Sequence, residues 1–329
     1  MTRIIHLLFC LTFISCNTTN SHENAPAPSE INTTVNNNVP QFDADSAYAY
    51  IARQVDFGPR VPNTEAHKRC GAYLTDELKR FGAETYVQEV SLTAWDKTKL
   101  QSKNIIGAYN TEKKERILLF AHWDSRPYAD HDPDKANHRT PIDGADDGAS
   151  GVGVLLEIAR QIKTNLPDKG IDIIFFDAED YGTPEFANVY IQDTWCLGSQ
   201  YWANNPHVPN YTAEFGILLD MVGSKNATFF REYISQKHAA PIVEMVWETA
   251  RNLGYGKYFI NTDGGAITDD HQYVISGRGI PCIDIINYDP ETTHGFGSYW
   301  HTVNDNMNNI DKKTLKAVGQ TVLEVIYNN

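Results

Sequence analysis

Cysteine is scarce in this chain. Of five in 329 residues, two lie in the first sixteen positions, which leaves Cys70, Cys196 and Cys282 for everything that follows. Three scattered thiols make no disulfide framework and no thiolate metal cage, and none has a His or a second Cys at metal-ligand spacing. Cys70 in a helical pattern and Cys282 in an apolar run read as buried small hydrophobes. Positive charge is short as well. Against 42 Asp and Glu stand 28 Lys and Arg, a formal charge of −14, which argues against a nucleic-acid partner. No window approaches the ~20 apolar residues of a membrane span. There is also no internal repeat and no second Pro/Gly-rich linker. What remains, at 41% hydrophobic content, is enough for one sizeable core.

The N-terminus has the form of an export signal: Arg3, an apolar stretch from Ile4 to Ile14, then Ser15-Cys16. A small residue before Cys16 resembles a bacterial lipobox, although Phe13 stands where Leu is usual. The expectation is a signal peptide over residues 1–15, a lipidated Cys16 and a periplasmic, membrane-anchored lipoprotein. The alternative is an ordinary cleaved signal with an incidental Cys. Residues 17–40 are rich in Asn, Thr, Ser and Pro, with only Ile31 and Val35 as isolated larger apolar side chains. Such a segment cannot offset its ordering entropy, so residues 16–40 read as the lipidated Cys and a disordered tether.

From residue 41 the chain alternates between helical and strand patterns. Residues 47–55, 65–81, 151–164, 239–252 and 312–327 have helical periodicity. Residues 84–92 and 104–109 read as strands. Four short runs, 117–120, 171–176, 215–219 and 280–286, are apolar without polar alternation, as strands buried on both faces of a parallel sheet are. The expectation is a single α/β domain over 41–329, a three-layer sandwich with a mixed, centrally parallel sheet flanked by helices. Two long polar connections, 128–143 and 181–194, are candidates for the rim of a site.

The apolar runs end in acids or imidazoles. His122 and Asp124 follow the first; Asp177, Glu179 and Asp180 follow the second; Asp220 follows the third; and the fourth leads to His301. Asp146-Asp147 precedes a helical pattern. Ligands bind outside the carboxyl ends of parallel strands, so these side chains are placed to meet. Each has a plain structural reading: His122 and Asp220 as hydrogen-bonded strand ends, Asp146-Asp147 as a helix N-cap. Three acids within Asp177–Asp180 are harder to explain that way. They repel one another unless a cation neutralises them, and a metal would do so economically. One carboxylate of the Glu179-Asp180 pair could bind metal while its neighbour faces substrate as a general base. Oxygen and nitrogen donors without thiolate suit a catalytic Zn²⁺.

In their order, His122-Trp123-Asp124-Ser125-Arg126-Pro127, Gly144–Gly151, Phe175–Asp180, Leu218–Gly223 and Tyr299–Thr302 resemble the zinc-dependent exopeptidases of the M28 clan, from about Phe57 to the C-terminus. Within that group the chain is most similar to the zinc glutaminyl-peptide cyclotransferases. Asp269-Asp270-His271 stands where aminopeptidases usually have Ser-Asp-His. Phe296 and Trp300-His301 match the cyclase Phe-x-x-x-Trp-His segment, and Val303–Asn306 resembles the cyclase continuation. The resemblance implies one Zn²⁺ per chain on Asp147, Asp180 and His301, with Glu179 as proton shuttle and Asp220 and Asp269 in the acidic network beside it. It implies a pocket wall of Phe296 and Trp300, with Trp195 the nearest candidate for a third aromatic. His122 and Asp124 become supporting residues. Asp180 departs from the Glu common among relatives, one methylene longer. The implied reaction converts the N-terminal Gln of peptides or proteins to pyroglutamate with release of ammonia. A two-zinc aminopeptidase is the alternative, using His122, Asp147, Asp180, Asp220 and His301. A non-catalytic surface lipoprotein is a third, disfavoured by the intact Glu179 and the full ligand set.

Overall fold

The computed structural model describes residues 39–189 and 191–329, so the signal segment, Cys16 and nearly all of the tether lie outside the described residues. The helices are α1 (Ala44–Val55), α2 (Glu65–Arg80), α3 (Ala149–Thr164), α4 (Leu197–Asn204), α5 (Tyr233–Asn252), α6 (Asp270–Arg278) and α7 (Lys312–Asn328). The strands are β1 (Glu84–Thr93), β2 (Lys99–Tyr109), β3 (Arg116–His122), β4 (Gly170–Phe176), β5 (Phe215–Asp220), β6 (Phe229–Arg231), β7 (Phe259–Asp263) and β8 (Cys282–Ile286). Six strands form one sheet in the order β1-β2-β4-β3-β5-β8, and β6 pairs with β7 separately. β4, β3, β5 and β8 are mutually parallel, while the β1–β2 hairpin adds antiparallel to β4. The expected mixed sheet is present, with its parallel strands at one side and the hairpin at the other.

The apolar runs lack alternation because both of their faces are covered. Ile117, Leu119, Ala121, Ile173, Phe175, Ile217 and Leu219 face a core built with α1, α2, α3, α5 and α7. Their neighbours Leu118, Phe120, Ile174, Phe176 and Leu218 face the other way, against Trp202 of α4 and Val274 of α6. Helices therefore cover both faces, giving three layers. Packing is close where α3 crosses β5: a Cβ on Gly151 would stand 2.1 Å from the Leu219 carbonyl oxygen.

Several boundaries move for local reasons. α1 begins three residues before the expected start, because Asp43 caps it by accepting the N–H groups of Asp45 and Ser46. The helix expected over 239–252 begins at Tyr233, with a break at Ala239 just before Pro241. Proline cannot donate to the preceding turn, so one pattern becomes two joined pieces. The fourth apolar run pairs only from Cys282. α4, α6, β6 and β7 had no counterpart in the sequence reading. Among the described residues, no helix is long and apolar enough to cross a membrane.

Candidate metal centre

Parallel pairing brings the carboxyl ends of β3, β4, β5 and β8 to one edge, with His122 in register with Phe176 and Asp220 with Ile286. The turns beyond them are fixed by buried acids. Asp124 accepts the backbone N–H of Glu179 at 3.1 Å and of Asp180 at 3.2 Å, tying the turn after β4 to the turn after β3. Asp305 does the same for the next segment, accepting the N–H of Asp146 at 2.8 Å and of Asp147 at 3.0 Å. Gly148 has φ +95°, and a Cβ there would lie 2.7 Å from the Asp124 carbonyl oxygen and 2.9 Å from the His122 ring. Only glycine fits that bend. It also caps α3 without a side chain, so the N-cap reading of Asp146-Asp147 does not hold. Asp146 instead accepts the Gly223 N–H at 2.7 Å and the Tyr299 hydroxyl at 2.5 Å.

Two triads result, sharing Asp147. In the first, Asp147, Asp180 and His301 hold ligand atoms within 4.8 Å of one another. His301 Nε2 lies 3.4 Å from Asp147 Oδ2 and 3.2 Å from Asp180 Oδ1. In the second, His122 Nε2 lies 3.0 Å from Asp147 Oδ1 and 3.2 Å from Asp220 Oδ1. The first triad fits a zinc ion: two carboxylates and an imidazole converge in a buried place, and Asp180 Oδ2 is buried with no hydrogen-bond partner. Burial and the Asp147 carboxylate push the Asp180 carboxyl up to about 6, against the opposing pull of His301 and Arg126.

The acids after β4 divide. Asp177 turns away from the centre, where His67 Nε2 holds both its oxygens at 2.9 and 3.0 Å and the Lys103 N–H reaches Oδ2 at 2.7 Å. A metal is thus not the neutraliser of all three. Arg126 contributes too. Fully buried, it grips Asp130 with two bonds of 2.7 Å and donates to the Asp180 carbonyl at 3.0 Å and Oδ1 at 3.3 Å.

Glu179 sits beside the triads, with Oε2 4.0 Å from His122 Nδ1. Burial first, then the Asp180 and Asp269 charges against the opposing pull of His122, push its carboxyl well above the usual carboxylate range. Asp269 caps α6 by accepting the Asp270 N–H, and its ligand atom lies within 4.8 Å of those of Glu179 and Cys196. Burial and the neighbouring Asp220 and Asp270 raise its carboxyl strongly as well; burial also raises that of Asp220. A cavity of about 440 Å³ opens over these groups, lined by Asp147, Glu179, Asp180, Asp220, Asp269 and His301 together with the three candidate aromatics. Trp300 stacks on His301 at 3.6 Å between ring centres and meets Phe296 at 4.7 Å, while the Trp195 ring lies parallel to His301 at 5.8 Å.

The structure thus gathers the eleven residues that the family resemblance pointed to: nine line the cavity, and His122 and Asp124 stand beneath it, while Asp146 and Asp177 of the acidic clusters serve elsewhere. It adds Arg126, Asp130, Asp305 and Cys196. Arg126 and Asp305 lie inside stretches already noted as motifs, but nothing in their spacing marked them as supports of the acidic turns. Cys196 carried no signal, because its partner is seventeen residues away across a turn.

Comparison with known proteins gives a consistent result. The model of peptidase family M28 matches residues 104–326. A zinc-dependent exopeptidase structure from Parabacteroides distasonis is 74% identical, covering 88% of this chain and 100% of that one, with a TM-score of 0.88. The glutaminyl cyclase structure of Tannerella forsythia is 71% identical over 88% of this chain and 100% of that one, with a TM-score of 0.87. The bovine glutaminyl-peptide cyclotransferase is 28% identical over 251 residues, 68% of this chain and 64% of the bovine protein; this chain therefore spans somewhat less than two thirds of that relative's length.

Proposed function

Since the chain belongs to peptidase family M28, we propose that within it the protein is a glutaminyl-peptide cyclotransferase, an enzyme that closes the N-terminal Gln of peptides and proteins to pyroglutamate. The observation that carries this reading is one arrangement: Glu179 and Asp269 face a cavity walled by Phe296 and Trp300, directly beside the Asp147–Asp180–His301 triad. Its likeness to the Tannerella forsythia glutaminyl cyclase supports it.

The reaction is an intramolecular aminolysis. The free α-amine attacks the γ-carboxamide carbon, the C–N bond of the amide breaks, and ammonia leaves. Asp147, Asp180 and His301 would hold a zinc ion, which would supply Lewis acidity for the γ-carboxamide. The α-amine must lose one proton and the departing nitrogen must gain one. Glu179 can do both, and a carboxyl raised by burial and like charge is suited to take the proton and return it. Asp269 and Asp220 supply part of that environment and can share the proton. Phe296, Trp300 and Trp195 confine the side chain in a folded conformation, which favours attack by its own amine and keeps out the water that would hydrolyse the amide. Because the nucleophile is part of the substrate, one metal per chain is enough, and the proposal is for one.

Ammonia release from a Gln-initiated dipeptide, measured beside a metal count, tests the reading. The expected result is pyroglutamate and ammonia with about one zinc per chain. Free amino acids without ammonia, together with two zincs, would instead assign the His122–Asp147–Asp220 triad to a second metal and the protein to peptide hydrolysis.

A further inference from the structure

The chemistry described for Glu179 depends on where its carboxylate points, and one side chain that it touches has no part in that chemistry. Cys196 is fully buried at the N-terminus of α4. Its Sγ lies 3.1 Å from Glu179 Oε1. Its backbone N–H donates to the Glu179 carbonyl at 2.9 Å, and the next N–H, of Leu197, donates to the Ala178 carbonyl at 3.0 Å. Cys196 and Ala178 both have left-handed backbone, at φ 56° and 54°. Side chains with a Cβ adopt that conformation at a cost, and such residues concentrate at functional sites. Two of them facing each other across a pair of hydrogen bonds fix the turn that carries Glu179.

We propose that Cys196 is a positioning residue for Glu179: its thiol donates a hydrogen bond to Oε1 and so leaves Oε2 as the oxygen that exchanges protons with the substrate. Among the described residues, no hydrogen bond engages Oε2. The thiol is a dependable donor here. Burial and the nearby carboxylates of Glu179, Asp270 and Asp269 hold it strongly protonated. It is also a weak donor. A strong donor such as an ammonium or guanidinium would fix the carboxylate equally well but drain its basicity. A thiol orients the carboxylate while leaving it able to accept a proton. α4 packs closely on this turn: a Cβ on Gly198, two residues on, would meet the Asp177 carbonyl oxygen at 2.2 Å.

This inference rests on the cyclotransferase reading, and the experiment separates the two. Ammonia release from a Gln-initiated dipeptide is measured for the unaltered protein, Cys196→Ala and Cys196→Ser at matched zinc content. Loss of one hydrogen bond to a charged group predicts a fall in kcat of about tenfold for Cys196→Ala, with KM within about twofold. Cys196→Ser restores an O–H donor and should recover most of the rate. A second measurement does not depend on activity. The S–H stretching band of Cys196, isolated by difference against Cys196→Ser, should move to higher frequency in Glu179→Gln, because a neutral amide oxygen is a poorer acceptor. Unaltered kcat in Cys196→Ala, or an unmoved band in Glu179→Gln, would overturn the assignment. Absence of ammonia release by the unaltered protein would instead overturn the cyclotransferase reading.

Discussion

The two triads at the sheet edge share Asp147 and resemble each other in composition, yet they differ in what is left unsatisfied. Around His301, the imidazole approaches two carboxylates at 3.2 and 3.4 Å, and Asp180 keeps a buried oxygen without a partner. Around His122, the imidazole lies between Asp147 and Asp220 at 3.0 and 3.2 Å, and the buried atom left without a hydrogen-bond partner is the ring's Nδ1, as it is in His301, rather than a carboxylate oxygen. The aromatic wall is also one-sided: Trp300 and Trp195 stack on His301. The same donor types can thus recur in two neighbouring triads while only one of them keeps a buried carboxylate oxygen without a hydrogen-bond partner.

Substituting the two histidines separately breaks the comparison most directly. His301→Ala should abolish zinc retention and, with it, ammonia release. His122→Ala should keep about one zinc per chain and lose roughly 10- to 100-fold in rate, the scale seen when supports of a metal site are removed. Metal analysis of both variants after extensive dialysis checks this. Equal zinc loss in the two would make the triads equivalent and restore the two-metal reading.

Glu179 sits beside the triads, with Oε2 4.0 Å from His122 Nδ1, and its substitution separates proton transfer from metal binding. Glu179→Gln should retain zinc and lose about 10²-fold or more in kcat, the contribution of a positioned general base. Retained activity would move the proton transfer to another group, and loss of zinc would make Glu179 a ligand rather than a base.

The parts that were legible in the sequence share a physical origin. Strands buried on both faces must be apolar throughout, and whatever follows them must lie at the sheet edge. The runs before His122, Asp177 and Asp220 could therefore be read directly. The helical periods of α3 and α7 were equally plain. The short helices α4 and α6 were not, since eight and nine residues give little periodicity and their tertiary contacts stabilise them. Asp269 follows no apolar strand, and only the family resemblance pointed to it; in the structure it is a helix cap. The fate of Asp177 was illegible for another reason. Its neutraliser, His67, comes from a helix 110 residues earlier, and no local spacing encodes that meeting. The same holds for Arg126, which lies four residues from one carboxylate partner and 54 from the other.

The smallest expected effect concerns Asp269, which stands on the Glu179 side of the comparison and touches neither triad's imidazole. To accept a proton from the α-amine, Glu179 must be ionised. Its carboxyl is raised above the ordinary range by burial first and by Asp180 and Asp269 after it, so the rate should fall as pH drops through that raised value rather than near ~4.3. Asp269→Asn keeps the burial and removes one like-charged neighbour. The proton affinity of Glu179 then falls, its ionised form persists to lower pH, and the acid limb of kcat/KM should move down by about one pH unit or less. The basic side should be unchanged in position, and zinc content should remain that of the unaltered protein. A pH profile measured at matched zinc content decides it. An acid limb that stays in place would assign it to a group other than Glu179. A limb that moves upward would mean that Asp269 stabilises the ionised form, in which case the cap it makes on α6 matters more to the site than its charge does.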